Sequence, residues 1–401
     1  MSKKNRKWLV FTIMCLAYMP GSYAQYQLSV FAPELIQSFG LTTSQFSSLF
    51  TAPMIVAIFL SFVGGMISDK VGSKKVINIS FVIAGIGMIG RVFANSYMPF
   101  FLCMALTGFS NMFVNINASK ITASWFEQEK LGILMGIFAF CGQLPGAFAT
   151  ATTAVLFDSR TSAFIVSAIF CISVFVLWLL FVKDRPEDTM EEREKIDQEN
   201  QPSIGDSLKV VLSNKGIWLV SICIMMVLGS TVTLSTFMPV ALQTMYGIDL
   251  KVCGTIASML TLGNCIGSIT GPIVFSKIKN VKVFVSGAAV LSFAGIIMCW
   301  RFPSIFVLHI LVLYTGIMLG ASMPIFLSAP VLLEGLGTKY AGSAAGVIST
   351  LQLLGAVLIP TYILTPIAGE NYSLLFMLAS ICMVIMFLCG LLLPQFGNNH
   401  K

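Results

Sequence analysis

Apolar runs about as long as a bilayer is thick recur twelve times in this chain, and that recurrence leaves few folds open. A spanning helix needs roughly 20 mainly apolar residues. Such runs lie at about 8–32, 45–68, 76–95, 98–122, 131–157, 161–182, 216–242, 252–275, 283–300, 304–332, 340–365 and 373–394. Several exceed the minimum, which implies tilt or extension beyond the bilayer. With 56% apolar and only 10% charged residues, against about 25% charged in soluble domains, the chain reads as an all-α integral membrane protein. One long hydrophilic interruption, 183–215, carries nine acids and six bases. Its Gln198-Glu199-Asn200-Gln201-Pro202 stretch reads as a flexible linker. The expected plan is a six-helix bundle over 1–182, a cytoplasmic linker over 183–215 and a second six-helix bundle over 216–401.

The cations set the orientation. With both termini inside, 20 of the 24 Lys and Arg fall on the cytoplasmic side, and 14 against 4 remain when the linker's six are set aside. Lys3-Lys4-Asn5-Arg6-Lys7 before Trp8 could mimic a signal peptide, but the apolar stretch runs on without a convincing cleavage site, so it is expected to remain as the first span. The ten cysteines sit mostly singly in apolar segments and form no C-x-x-C, so they read as small packing residues and not as a disulfide or zinc framework.

The most informative loop is Gly64-Gly65-Met66-Ile67-Ser68-Asp69-Lys70-Val71-Gly72-Ser73-Lys74-Lys75. Gly64 and Gly65 permit close helix approach, Gly72 supplies a turn residue tolerant of φ > 0, and Lys70, Lys74 and Lys75 hold the loop in the cytoplasm. The two halves also repeat. Ser29-Val30-Phe31-Ala32-Pro33 recurs as Ser235-Thr236-Phe237-Met238-Pro239, and Gln37 recurs as Gln243. Gly64, Asp69, Lys70 and Lys75 fall against Gly271, Ser276, Lys277 and Lys282, and Arg91 falls against Arg301. Displacements of 206 to 210 across these elements mark a duplicated unit.

The pattern G-x-x-x-D-K-x-G-x-K-K and the six-plus-six plan resemble the major facilitator superfamily of transporters, over nearly the whole chain. The resemblance implies two pseudo-symmetric six-helix bundles, a substrate near mid-membrane and alternating access. It further implies a conformational latch of Gly65, Asp69, Lys70, Gly72 and Lys75. In it Asp69 engages the N-terminal end of the eleventh helix, near Gly337–Ala341, in the outward-facing state. Ser276 replaces the acid in the second half, so that latch should be weak or absent. Two departures lower the expectation of drug efflux by proton antiport. Met104 stands four residues before Gly108 where proton-coupled members often carry Arg, and Gly142-Gln143-Leu144-Pro145-Gly146 does not keep the drug antiporters' G-P-x-x-G-G order.

No Asp or Glu lies near a helix midpoint, which removes the obvious proton carrier and the usual partner of a lipophilic cation. The mid-membrane polar residues are uncharged: Asn111 and Asn115 one turn apart, Gln143, Asn264, Tyr314 and Gln352, with Tyr23 and Tyr26 in a polar stretch of the first span. These eight are the expected substrate contacts, and the bland alternative is that Asn and Gln pair helices at about 0.6 kcal/mol each. Arg91 and Arg301 suit a planar anion as a pair. Their places near the outer ends of peripheral helices put them within snorkelling reach of water, which favours anchoring. The chain is expected to be a secondary transporter of a small polar solute, with an organic carboxylate as the leading candidate and drug efflux as the alternative. It shows no catalytic motif. It is expected to need no cofactor or metal, to bind lipid and substrate but no nucleic acid, and to sit as a monomer in a bacterial inner membrane.

Overall fold

The computed structural model describes residues 3–126, 128–182, 204–333 and 336–395. Everything described is helix or short connection. The first half holds α1 (Lys3–Val30), α2 (Ala32–Phe39), α3 (Thr43–Val71), α4 (Ser73–Phe93), α5 (Tyr97–Trp125), α6 (Gln128–Leu156) and α7 (Arg160–Phe181). After α8 (Ile204–Ser213) come α9 (Lys215–Tyr246), α10 (Leu250–Ile278), α11 (Val281–Met298), α12 (Ile305–Ala321), α13 (Met323–Leu332), α14 (Gly337–Leu358), a π-helical turn (Ile359–Leu364), α15 (Thr365–Ala368) and α16 (Tyr372–Leu392). Among the described residues nine segments are long and apolar enough to cross a membrane, or ten counting the pair Ala32–Phe39 and Thr43–Phe59, bent by 119°. Helix α1 falls short on hydropathy because Pro20–Gln27 is polar, not because it is short.

Local chemistry starts and stops these helices where the sequence permits. Thr42 and Gln45 form a reciprocal capping box at α3, with Gln45 N–H to Thr42 Oγ1 at 3.2 Å and Thr42 N–H to Gln45 Oε1 at 2.9 Å. Asn214, Asn280 and Asn371 cap α9, α11 and α16 through their side-chain oxygens. Gly40 and Gly247 close α2 and α9 in the left-handed conformation.

Three stretches hold detail beyond the expected spans and linker. The stretch 304–332 is two helices parted at Ser322, just ahead of Pro324. The stretch 340–365 widens into the π turn at Pro360, whose nitrogen has no N–H to donate to the preceding turn. Within the expected linker, 204–213 is helical, while 183–203 lies outside the described residues.

Contacts divide the chain into two compact units, residues 1–190 with 249–258 and residues 191–248 with 259–401. In the first, α1 is central and packs on α5, α6 and α7. Helix α4 shows how a span divides its faces. Ile79, Val82, Ile86, Ile89 and Phe93 form an exposed stripe for lipid, while Ile77, Phe81, Ala84, Met88 and Arg91 form a buried one. In the second unit α9 lies against α14 and α16, and Phe237, Phe326 and Phe376 are among its fully buried side chains.

Candidate functional site

The polar stretch of α1 is where the first unit concentrates its hydrogen bonds. Pro20 lacks an N–H, and the next residue, Gly21, lets α5 approach closely. One after another, neighbouring helices then grip this stretch. Asn111 of α5 meets Ser22 Oγ at 3.0 Å, Gln25 Nε2 donates to the Phe50 carbonyl of α3 at 2.8 Å, and Gln27 Nε2 donates to the Ala163 carbonyl of α7 at 3.2 Å.

Arg91 of α4 completes the hub. Its side chain is only 1% exposed, so it does not snorkel. One terminal nitrogen donates to the Ala24 carbonyl at 3.0 Å and lies 3.9 Å from Met104 Sδ; the other donates to Gln27 Oε1 at 3.1 Å and to Ser167 Oγ. The guanidinium sits 4.4 Å from the Phe164 ring centroid, and Nε has no partner among the described residues. Every one of these partners is neutral. A buried cation held by carbonyl, amide, hydroxyl and ring, with no carboxylate among its described contacts, leaves this part of the unit electropositive.

The aromatic side of α1 rests on α6. A Cβ on Gly142 would fall 2.0 Å from the Tyr18 ring, and one on Gly146 would fall 2.9 Å from that of Tyr26. Tyr18 stacks on Phe138 at 4.7 Å, Tyr26 meets Phe50 edge-on at 5.5 Å, and buried Tyr23 lies near Phe148 and Phe170. Beside these contacts two expected residues are exposed: Asn115, one turn beyond Asn111, and Gln143, between the two glycines of α6. No hydrogen bond ties either to another described residue. Asn111, Asn115, Gln143, Tyr23 and Tyr26 therefore all lie on or beside the α1 seams, but they are of two kinds. Asn111 fastens helices, whereas the amides of Asn115 and Gln143 stay open to other partners.

The second unit carries three candidates. Asn264 is buried with its backbone against Gly320, and Tyr314 lies with its ring 3.2 Å from the Cβ position of Gly295 in α11. Gln352 is half-buried on α14. Arg301 is exposed after α11, 5.4 Å from the Trp300 ring, so the repeat partners Arg91 and Arg301 occupy opposite environments. In the loop, Gly72 has φ 95, as its turn requires, and Lys75 is exposed. The side chains of Gly65, Asp69 and Lys70 lie outside the described residues, and α14 does begin at Gly337.

Sequence reasoning missed Asn117, whose amide donates to Ser68 Oγ at 3.0 Å and to the Phe113 carbonyl at 2.8 Å, tying α5 to the residue before Asp69. Asn117 follows Asn115 by two positions, which in a helix turns it away from the face that Asn111 and Asn115 share. Its role is therefore visible only in its pairing. Arg91's burial was readable, because it continues the stripe Ile77, Phe81, Ala84, Met88.

Comparison with known proteins agrees with this architecture. The chain is 24% identical to the probable sulfoacetate transporter SauU of Cupriavidus necator, over 85% of this chain and 83% of that one. It is 22% identical to the galacturonate transporter of Dickeya chrysanthemi, over 74% and 90% respectively. It is 24% identical to the membrane sensor protein UhpC of Salmonella typhimurium, over 88% and 83%. Among solved structures, a bacterial homologue of the human lysosomal transporter Spinster, inward-facing and unoccupied, superposes with a TM-score of 0.77 at 13% identity, covering 98% of this chain and 95% of that one. The Major Facilitator Superfamily profile matches residues 10–360, and with the duplicated helical plan already in view, the chain belongs to that superfamily of membrane transporters.

Proposed function

We propose that this transporter moves a small organic anion, a carboxylate or sulfonate, by alternating access of its two halves, in a bacterial inner membrane with both termini cytoplasmic. The observation that carries the reading is Arg91: a buried guanidinium whose described partners are all neutral, in the same unit as exposed Asn115 and Gln143. An uncompensated cation favours an anion nearby, and open amides can supply donors to its oxygens. The relatives named for sulfoacetate and galacturonate support the same class. Arg91 acts through the field and the shape of α1, while Asn115, Gln143 and Tyr26 are the proposed contacts, with Gln352 and Asn264 as candidates from the second half. The cation asymmetry between loops supports the orientation.

A second reading is that the chain binds an anion and reports it, as the likeness to a membrane sensor suggests. One experiment separates the readings. The purified protein is screened by thermal shift against organic acids, sugars, amino acids, inorganic anions and lipophilic cations. A ligand that binds only the folded state, at 100 times its Kd, adds about 2.7 kcal/mol. Stabilisation by galacturonate, sulfoacetate or a related acid, followed by uptake of the labelled acid into proteoliposomes, is the expected result. Binding without uptake gives the sensor, and stabilisation by unrelated amphipaths alone gives drug efflux.

A further inference from the structure

Pro20 leaves the Leu16 carbonyl without its intrahelical donor and opens α1 on that side. Two rungs further on, the Tyr18 carbonyl faces the Ser22 N–H, and the Asn111 side chain lies across the two. In the amide orientation that satisfies both groups, its nitrogen donates to the Tyr18 carbonyl at 3.2 Å, while its oxygen accepts from Ser22 N–H and Ser22 Oγ, each at 3.0 Å. Gly21 makes the fit possible: a Cβ there would fall between 2.5 and 2.9 Å from the atoms of that amide. Proline, glycine and asparagine thus lie close together, where a side chain from α5 bonds to the backbone of α1.

We infer that Asn111 is a positioning residue that splices the two halves of α1 by bracing the backbone just past the rung that Pro20 interrupts, and so fixes the angle between them. The half before the splice is held by Tyr18 on Phe138 and Gly142. The half after it carries Tyr23 and Tyr26 and the Ala24 carbonyl that Arg91 grips. Loss of the splice frees the second half to swing while its own contacts persist, so the cost falls on the rate of the conformational cycle and not on ligand contact. This assignment takes Asn111 out of the set of substrate contacts. It rests on transport as the family's activity, not on the identity of the solute.

The test reads backbone hydrogen exchange of the substrate-free protein in nanodiscs, across peptides covering residues 16–25. Asn111→Val is expected to speed exchange there at least ten-fold. Pro20→Ala restores the missing donor, so the double variant Pro20→Ala with Asn111→Val is expected to return to within about three-fold of wild type. If Asn111→Val does not fold, Gly21→Ala is read in its place, since the new methyl displaces the amide without changing α5. Unchanged exchange in the variant, or a double variant that exchanges as fast as the single one, overturns the splice. Galacturonate uptake supplies the second readout: a fall in maximal rate with KM within two-fold fits a positioning role. A raised KM with unaltered exchange makes Asn111 a substrate contact and overturns it. The exchange measurement needs no substrate, so a wild type that ignores galacturonate counts against the proposed solute class and leaves the splice to be decided by exchange.

Discussion

Two loops at repeat-related places in the sequence, 64–75 between α3 and α4 and 271–282 between α10 and α11, solve the same backbone problem differently. Both turn through positive φ at positions 207 apart, but the first uses Gly72 at φ 95 and the second uses Lys279 at φ 53. Glycine adopts such a conformation freely, whereas an L side chain in it costs roughly 1–2 kcal/mol. The second loop is strapped: Gln395 donates to the Lys279 carbonyl at 2.7 Å and accepts from Val281 N–H at 3.2 Å. The helix pairs beneath have diverged as well. Gly108 meets Pro53 and Gly316 meets Leu260 in the same backbone contact, yet nearer the loops Gly64 faces the Phe113 ring where Gly271 faces the Ala321 backbone. Asn117 holds Ser68, and its counterpart in the second half is Ile325. One loop is unstrained and carries Asp69; the other is strained and pinned.

If that asymmetry divides labour, the largest effect belongs to the acid. Asp69→Asn is expected to lower uptake into proteoliposomes at least ten-fold at matched protein levels, with folding retained, if Asp69 serves as the latch that the family resemblance implies, where a carboxylate engaging a helix N-terminus is worth up to about 2 kcal/mol. Ser276→Ala should leave uptake within two-fold. Equal losses from both would erase the distinction between the loops.

The packing difference gives the next contrast. A methyl on Gly271 would sit 2.0 Å from the Ala321 carbonyl oxygen, part of a backbone that cannot step aside. On Gly64 it would sit 3.0 Å from the edge of the Phe113 ring, which can turn. Gly271→Ala should therefore lower thermal stability in detergent by the order of an overpacked core, about 1–3 kcal/mol, and Gly64→Ala by less than about 1. Stability lost equally at both sites would show that ring and backbone resist alike. Gly72→Ala ranks close behind, since φ 95 with ψ 137 is a region that costs a side chain about 1–3 kcal/mol.

How much of this was legible in the sequence follows the same physics. The spans were readable because a bilayer imposes their length and polarity, and the boundaries found for α4, α5 and α7 lie within three residues of those expected. The breaks at Ser322 and Pro360 were not, because an apolar run gives the same signal whether its helix is continuous or re-formed. The turn at Gly72 could be read from residue type alone, but its counterpart Lys279 could not, since lysine rarely takes that conformation. The polar candidates divided for a related reason. Asn111 and Asn115 are the same residue one turn apart, yet Asn111 binds Ser22 while Asn115 is exposed; partner geometry separates them, and sequence does not carry it.

The smallest expected effect probes the strap itself. Gln395→Ala removes two hydrogen bonds at the edge of the bundle, worth about 0.5–1.5 kcal/mol each at most and less where water competes. Lys279→Gly should act oppositely, relieving roughly 1–2 kcal/mol of left-handed strain against about 0.5–1 for the added freedom of the unfolded glycine, a net gain of at most about 1.5. If the strap is there to hold a strained residue, the two changes must interact. Lys279→Gly should stabilise the protein less in the Gln395→Ala background than in wild type, because without the strap the turn opens and sheds the strain that glycine would otherwise relieve. A double-mutant cycle on thermal unfolding reads this directly. Strict additivity would mean that Gln395 merely anchors the segment after α16, and that the second loop is pinned for reasons unconnected with its turn.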